Sequence, residues 1–191
     1  MNHMKKLLLT AFVFACTYAS SAVAGEFDFK DPKGVNTISF YTDSPLEPIM
    51  GIADNISGTV SHDATGTKGT ISFPTANLKV ASKRMTDVMH GADWLDAATN
   101  ETVSFTFTHD GENFEGKLTL AGITKDFTAP GKVTLIEGGA AKRGMGEGDL
   151  LVLRSKFTVS RSDFGIKPGA MFEKVGDKVD IIVAIVGYPA K

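Results

Sequence analysis

The stretch Val103-Ser104-Phe105-Thr106-Phe107-Thr108-His109-Asp110-Gly111-Glu112-Asn113-Phe114-Glu115-Gly116-Lys117-Leu118-Thr119-Leu120 decides the fold. Val103, Phe105 and Phe107 alternate with Ser104, Thr106 and Thr108, while Phe114, Leu118 and Leu120 alternate with Glu115, Lys117 and Thr119. Successive side chains of a strand point to opposite faces, so this period of two gathers the apolar set on one side. Asp110-Gly111 lies in the five residues between the two runs, the chemistry of a hairpin loop. The stretch therefore predicts two antiparallel strands with one dry and one wet face.

The same alternation recurs outward from it. Thr37-Ile38-Ser39-Phe40-Tyr41-Thr42, Ile56-Ser57-Gly58-Thr59-Val60, Thr70-Ile71-Ser72-Phe73, Leu78-Lys79-Val80, Val133-Thr134-Leu135 and residues 151–159 read as strands, and a last strand covers residues 178–188. Seven to nine such strands remove their exposed edges by closing on themselves. The fold class predicted is all-β, an antiparallel barrel. One interruption, residues 83–98, spaces Met85, Val88 and Met89 as a helix would, with Gly91 breaking the pattern before Trp94-Leu95. It predicts one or two short helical turns packed over the sheet. In the last strand, residues 181–186 are apolar on both faces, which predicts a cover on the outer side, with the 85–95 segment as that cover. The glycine-rich loop at 138–148 is expected to be mobile.

The amino-terminal 24 residues have their own logic. Lys5 and Lys6 precede the apolar run from Leu7 to Cys16, and Ala22-Val23-Ala24 gives small residues before Gly25. A positive segment, a short apolar run and an A-x-A site describe a secretory signal peptide cleaved after Ala24. The apolar run is shorter than the roughly 20 residues a membrane span needs. Lipidation at Cys16 is the competing reading, which the bulky Phe14 suits poorly. The expected processed chain, residues 25–191, is one domain outside the cytoplasm, without a transmembrane segment.

Cys16 is the single cysteine, so the rest of the chain excludes disulfides, thiolate metal sites and a cysteine nucleophile. Lys5 and Lys6 are two of the 20 Lys and Arg, leaving 18 against 22 acidic residues, a net charge of −4 that does not suit nucleic acid. Asp87, His90 and Asp93 lie at helical spacing and could hold a metal, but solvated helix decoration is the commoner explanation. Gly144-Met145-Gly146-Glu147-Gly148 lacks the Gly-Lys-Ser/Thr ending of a phosphate loop, and no nucleophile elbow is present. No catalytic residue, metal or cofactor is assigned.

The predicted inward set includes Phe40, Phe73, Phe105, Phe107, Phe114 and Phe157, with glycines such as Gly58 and Gly116 between them. Aromatics with small gaps suit a long apolar ligand, whereas alternation alone equally describes a packed core. Arg161 shares the inward parity of Phe157 and Val159 and needs a partner there, which Asp163, a carbonyl or a ligand phosphate could supply.

Several segments resemble the YceI-like, polyisoprenoid-binding family. Arg84, Trp94-Leu95-Asp96-Ala97 and Val103-Ser104-Phe105 are similar to its "R…H…WLDA…ITF" stretch. Gly116-Lys117-Leu118-Thr119-Leu120-Ala121-Gly122-Ile123-Thr124-Lys125 resembles its "G-x-L-T-x-x-G-V-T-K" hairpin. Arg161-Ser162-Asp163-Phe164-Gly165, then Val175-Gly176-Asp177-Lys178-Val179, resembles its ending. In order and spacing the resemblance covers most of the chain from about residue 34 to residue 188. The resemblance implies a lipocalin-like, extended eight-stranded barrel in the bacterial periplasm, with a tunnel that accepts an isoprenoid chain such as a polyprenyl lipid or isoprenoid quinone. One departure is Asn36-Thr37, where the family often carries His-Ser, which puts a head-group role of that pair in doubt.

The reading is a periplasmic binding protein that sequesters or transports the lipid unchanged, and a homodimer is compatible with it. Its expected ligand-binding residues are Phe40, Phe73, Phe105, Phe107, Phe114, Leu118, Phe157 and Val159, with Arg161 as a head-group contact. The alternatives are an enzyme on quinones or lipids using His90 and Asp87, and a filled barrel presenting the 138–148 loop to a partner.

Overall fold

A computed structural model describes residues 25–191 apart from Pro32, Pro168 and Ala170. The signal-peptide reading of residues 1–24, Cys16 included, lies outside the described residues. Eleven strand segments carry the chain: β1 (Gly25–Asp28), β2 (Thr37–Thr42), β3 (Ile49–Ala53), β4 (Ser57–Asp63), β5 (Gly66–Pro74), β6 (Leu78–Val80), β7 (Thr102–His109), β8 (Asn113–Leu120), β9 (Ile123–Ile136), β10 (Leu150–Ser160) and β11 (Lys178–Pro189). The two short helices are α1 (Lys83–His90) and α2 (Gly139–Lys142).

Eight antiparallel strands close a lipocalin-like ring, β1-β4-β5-β7-β8-β9-β10-β11, with β11 returning to β1. A branch, β2-β3-β6, leaves the same edge of β11. Asp180–Ala184 of β11 face Tyr41–Thr37, whereas Tyr188 and Pro189 face Asp28 and Phe27. The wall therefore forks toward one end, where β6 pairs with β3 and α1 follows directly. Ser82 caps α1 by accepting the Met85 amide at 3.3 Å, and Gly91 stops it. Thr86 then ties the helix to β6, exchanging hydrogen bonds with the Val80 amide and carbonyl.

The core fills the closed end. Phe29, Val60 and Leu151 are fully buried there, and the Phe29 ring lies so close over Gly187 that a Cβ would fall 2.5 Å from it. Gly58 and Gly116 do not act as gaps in the lining, as the sequence had suggested. A Cβ on Gly116 would lie 1.9 Å from the Thr106 carbonyl, and one on Gly58 2.0 Å from that of Thr70, so close strand approach dictates glycine.

Two further expectations are corrected. The outer face of β11 is not covered by the 85–95 segment, which packs at the forked end. Ile182 is 49% exposed, and Val186 packs instead against the cluster of Ala140, Leu150 and Tyr188, which Met145 of the glycine-rich loop also joins. That loop is built rather than loose. It contains α2, buries Ala140 completely, and returns main-chain bonds from Ala140 to Gly148 and from Met145 to Ala140.

Candidate ligand-binding cavity

The forked half of the barrel is hollow. A cavity of about 930 Å³ runs from buried Phe107, Phe114 and Ile185 to exposed Leu46, Val88 and Met171 at the mouth. That volume lies at the upper end of the roughly 300–1,000 Å³ of small-molecule sites. The void explains a burial pattern that a solid core would not give. Phe40, Phe105, Leu118 and Phe157 point inward yet are only half-buried, whereas Phe27 and Phe29 below them are buried.

A row of rings forms one wall. Phe107 meets Phe114 edge-on at 5.1 Å and stacks on Phe105 at 5.5 Å, and Phe105 in turn meets the edge of Phe127 at 6.0 Å. Phe127 reaches Phe157 of β10 at 5.1 Å. The β9–β10 ladder runs only from Gly131–Ser155 to Ile136–Leu150, so the Phe127–Phe157 contact joins the two strands where they part toward the mouth. Edge-to-face pairs contribute about 0.5–1.5 kcal/mol beyond burial, and here they stiffen a wall that lacks a solid core behind it.

Arg161 holds the mouth. It opens a 3-10 turn after β10, is 4% exposed, and sandwiches its guanidinium between Phe172, at 4.8 Å, and Trp94, at 5.6 Å. Its Nε donates to the Gly176 carbonyl, Nη1 to those of Ile166 and Lys167, and Nη2 to that of Val175. Of the partners considered from sequence, main-chain carbonyls are present among the described residues. Burial lowers the Arg161 pKa and Asp177 opposes that shift. Asp177 itself sits below the ordinary carboxylate value; burial pushes it up, but its Ser162 hydrogen bonds and the neighbouring Arg161 and Lys178 outweigh burial.

All nine residues expected from sequence line this one cavity: Phe40, Phe73, Phe105, Phe107, Phe114, Leu118, Phe157, Val159 and Arg161. Sequence reasoning missed Phe127, Met85, Met89 and Trp94 as lining residues. Phe127 and Ala129 do alternate with Asp126 and Thr128, but Pro130 disguised the strand. The proline is tolerated because β9 changes partner there, from β8 up to Pro130 to β10 from Gly131.

The helical-spacing trio is not assembled. Asp87 pairs with Lys83 at 2.7 Å, Asp93 with Lys167 at 3.2 Å, and His90 Nε2 donates to the Leu78 carbonyl at 2.8 Å. Among the described residues no three His, Cys, Asp or Glu side chains come together as a metal site. Asn36, at the family's departure, is 3% exposed and bonded to main chain, away from the cavity lining.

The fold recurs in solved structures. BcnA of Burkholderia cenocepacia matches with 21% identity and a TM-score of 0.64, over 80% of this chain and 96% of that one. The YceI protein of Campylobacter jejuni matches with 15% identity and a TM-score of 0.60, over 98% of this chain and 99% of its own. A polyisoprenoid binding domain from Saccharophagus degradans, implicated in plant cell wall breakdown, matches with 10% identity and a TM-score of 0.64, over 88% of this chain and all of that one. No curated protein matches in sequence. The sequence profile of the YceI-like domain, however, matches residues 19–187, nearly the whole barrel and its mouth, and the chain therefore belongs to the YceI-like domain family.

Proposed function

We propose that this protein sequesters or transports an isoprenoid lipid, a polyprenyl lipid or isoprenoid quinone, in its barrel cavity, working in the periplasm without altering the cargo. The observation that carries the reading is the predominantly apolar lining from the closed core to an open mouth. Each buried CH₂ of a chain contributes about 0.8 kcal/mol, so a long tail binds through the walls alone. Phe40, Phe73, Phe105, Phe107, Phe114, Leu118, Phe157 and Val159 are the proposed tail contacts. Arg161 is the proposed head-group contact, and its hydrogen bonds to the Ile166 and Val175 carbonyls hold it near the mouth. The likeness to a polyisoprenoid binding domain supports the choice of cargo.

The test is an organic extract of gently purified protein, read by mass spectrometry, followed by titration of an isoprenoid quinone against Trp94 fluorescence. Trp94 is the single tryptophan and lines the cavity. A co-purified isoprenoid and saturable quenching are expected. An empty extract together with an unresponsive Trp94 would overturn the reading.

A further inference from the structure

The mouth differs from the rest of the surface. Leu46 is 61% exposed, Val88 51%, Met171 46% and Phe172 41%. Three separate elements bring them to one rim. Leu46 lies in the β2–β3 connection, Val88 on α1, and Met171 and Phe172 in the turn before β11. The first and third are sewn together, the Leu46 amide donating to the Glu173 carbonyl at 3.0 Å and Ser44 Oγ to that of Lys174 at 2.9 Å. Leu46, Val88 and Met171 also line the cavity, so its largely apolar lining reaches the outside, interrupted at the rim by Glu47, Arg84 and Lys174. The opposite end of the barrel presents hairpin tips made polar by Asp63 and Thr65 and by Asp110 and Glu112.

We propose that this rim docks on the zwitterionic face of a lipid bilayer, which opens the cavity directly onto the hydrocarbon; the proposal rests on the carrier reading above. Two features select this occupant. A protein covering the rim would seal the mouth, whereas an apolar phase continues it, and exposed apolar patches of this kind mark contact surfaces. The charges match as well. Lys83 and Lys167 are neutralised by Asp87 and Asp93, leaving Arg84 and Lys174 against Glu47 and Glu173, none of them ion-paired among the described residues. With Arg161 buried behind them, these two exposed cations and two exposed anions beside the apolar centre mirror a surface of phosphates and ammonium groups. Phe172 adds an exposed aromatic ring to the rim, a residue type that serves on the apolar face of interfacial segments. Docking held by apolar insertion depends little on salt.

The experiment is flotation of the protein with phosphatidylcholine vesicles at low and high salt, with cargo occupancy measured separately in the extract. Wild type is expected to float at both salt concentrations, the Leu46→Asp/Met171→Asp double variant to float at least tenfold less, and Val35→Asp, an exposed apolar position outside the cavity lining, to float as wild type. Circular dichroism confirms that each variant is folded. Wild type that carries lipid but stays at the bottom overturns the docking proposal and leaves the carrier reading standing. Wild type that floats without ever holding an isoprenoid overturns the carrier reading alone. A dimer in sedimentation that the double variant dissociates, without flotation, overturns docking by assigning the rim to a second copy.

Discussion

The side chain of Asn36 occupies both main-chain hydrogen-bonding groups of Val186, 150 residues away: its Oδ1 accepts the Val186 amide at 2.8 Å and its Nδ2 donates to the Val186 carbonyl at 3.0 Å. Nδ2 also reaches the Phe29 carbonyl at 3.2 Å. Val186 lies between the part of β11 paired with β2 and the part paired with β1. A strand partner is missing there, and one amide side chain stands in for it. The fork of the barrel wall is thus closed by a residue that carries a donor and an acceptor at once.

Replacing Asn36 with leucine should destabilise the protein by about 2–4 kcal/mol, because at least one buried amide and one buried carbonyl lose their partners at about 1–3 kcal/mol each. Asn36→Asp should be nearly as costly, since a carboxylate cannot donate to the two carbonyls. Urea unfolding measures both. A loss below 0.5 kcal/mol, a rough floor for one net hydrogen bond, would show that water replaces the amide.

Arg161→Met removes the charge together with its hydrogen bonds to the carbonyls of Ile166, Lys167, Val175 and Gly176. Some of these acceptors can turn to water, so the expected loss is about 3 kcal/mol. Arg161→Lys should recover little of it, because one ammonium on a flexible stem cannot serve a fan of carbonyls that the planar guanidinium spans. Limited proteolysis should find the new cleavage sites within residues 166–176. Cleavage elsewhere with this turn intact would contradict the clamp.

Phe105 is the central ring of the aromatic wall, touching Phe107 on one side and Phe127 on the other. Phe105→Asp should abolish co-purification of lipid, because an ionised carboxylate in an apolar site costs several kcal/mol unless it stays hydrated. An empty cavity lets water reach the carboxylate, so the variant should still fold, and near-ultraviolet circular dichroism would show it. Lipid retained at the wild-type level would place the cargo away from this wall.

How far the sequence could be read depended on the range of the interactions. Alternation in β2, β5, β7, β8 and β10 is local, and with its parity carried on to Arg161 it placed all nine expected residues on one interior. The void itself was not legible: inward Phe29 packs against Gly187, inward Phe105 faces empty space, and period two looks the same in both cases. The partners of Arg161 and Asn36 were hidden because they are main-chain groups, which carry no residue signature. The built glycine loop was hidden for a related reason, since Ala140 and Met145 of the loop share a cluster with Tyr188 and Val186, which are distant in sequence.

Asp177 gives a pH prediction. Its folded pKa lies below the ordinary carboxylate value of 3.8; burial pushes it up, but the Ser162 hydrogen bonds and the charges of Arg161 and Lys178 prevail. A depressed carboxylate stabilises the fold at pH values above 3.8, where it is ionised in both states, and loses that contribution as pH falls through the lower folded value. The stability gap between wild type and Asp177→Asn should therefore be full at neutral pH and shrink only below about pH 4. Chemical denaturation of both proteins across that range measures the gap. A gap that stays constant into strong acid would assign the effect of the substitution to packing.

Gly116 sits between Phe107 on β7 and Phe127 on β9, directly under the aromatic wall. A Cβ there would meet the Thr106 carbonyl at 1.9 Å and the Phe107 Cα at 2.8 Å, both main-chain atoms that cannot swing away. Gly116→Ala must therefore push β7 outward and tilt the Phe107–Phe105 stack. The expected cost is about 1–3 kcal/mol, the usual range for overpacking. Because the displaced strand carries cavity walls, lipid occupancy should fall with stability. Gly111→Ala supplies the contrast: nothing lies within 4 Å of its Cβ, so its strain comes only from a φ of +109° in the exposed hairpin loop. Thermal unfolding should rank both below wild type, with occupancy lost in Gly116→Ala alone. Equal occupancy in the two variants would mean that β7 is free to move without reshaping the cavity.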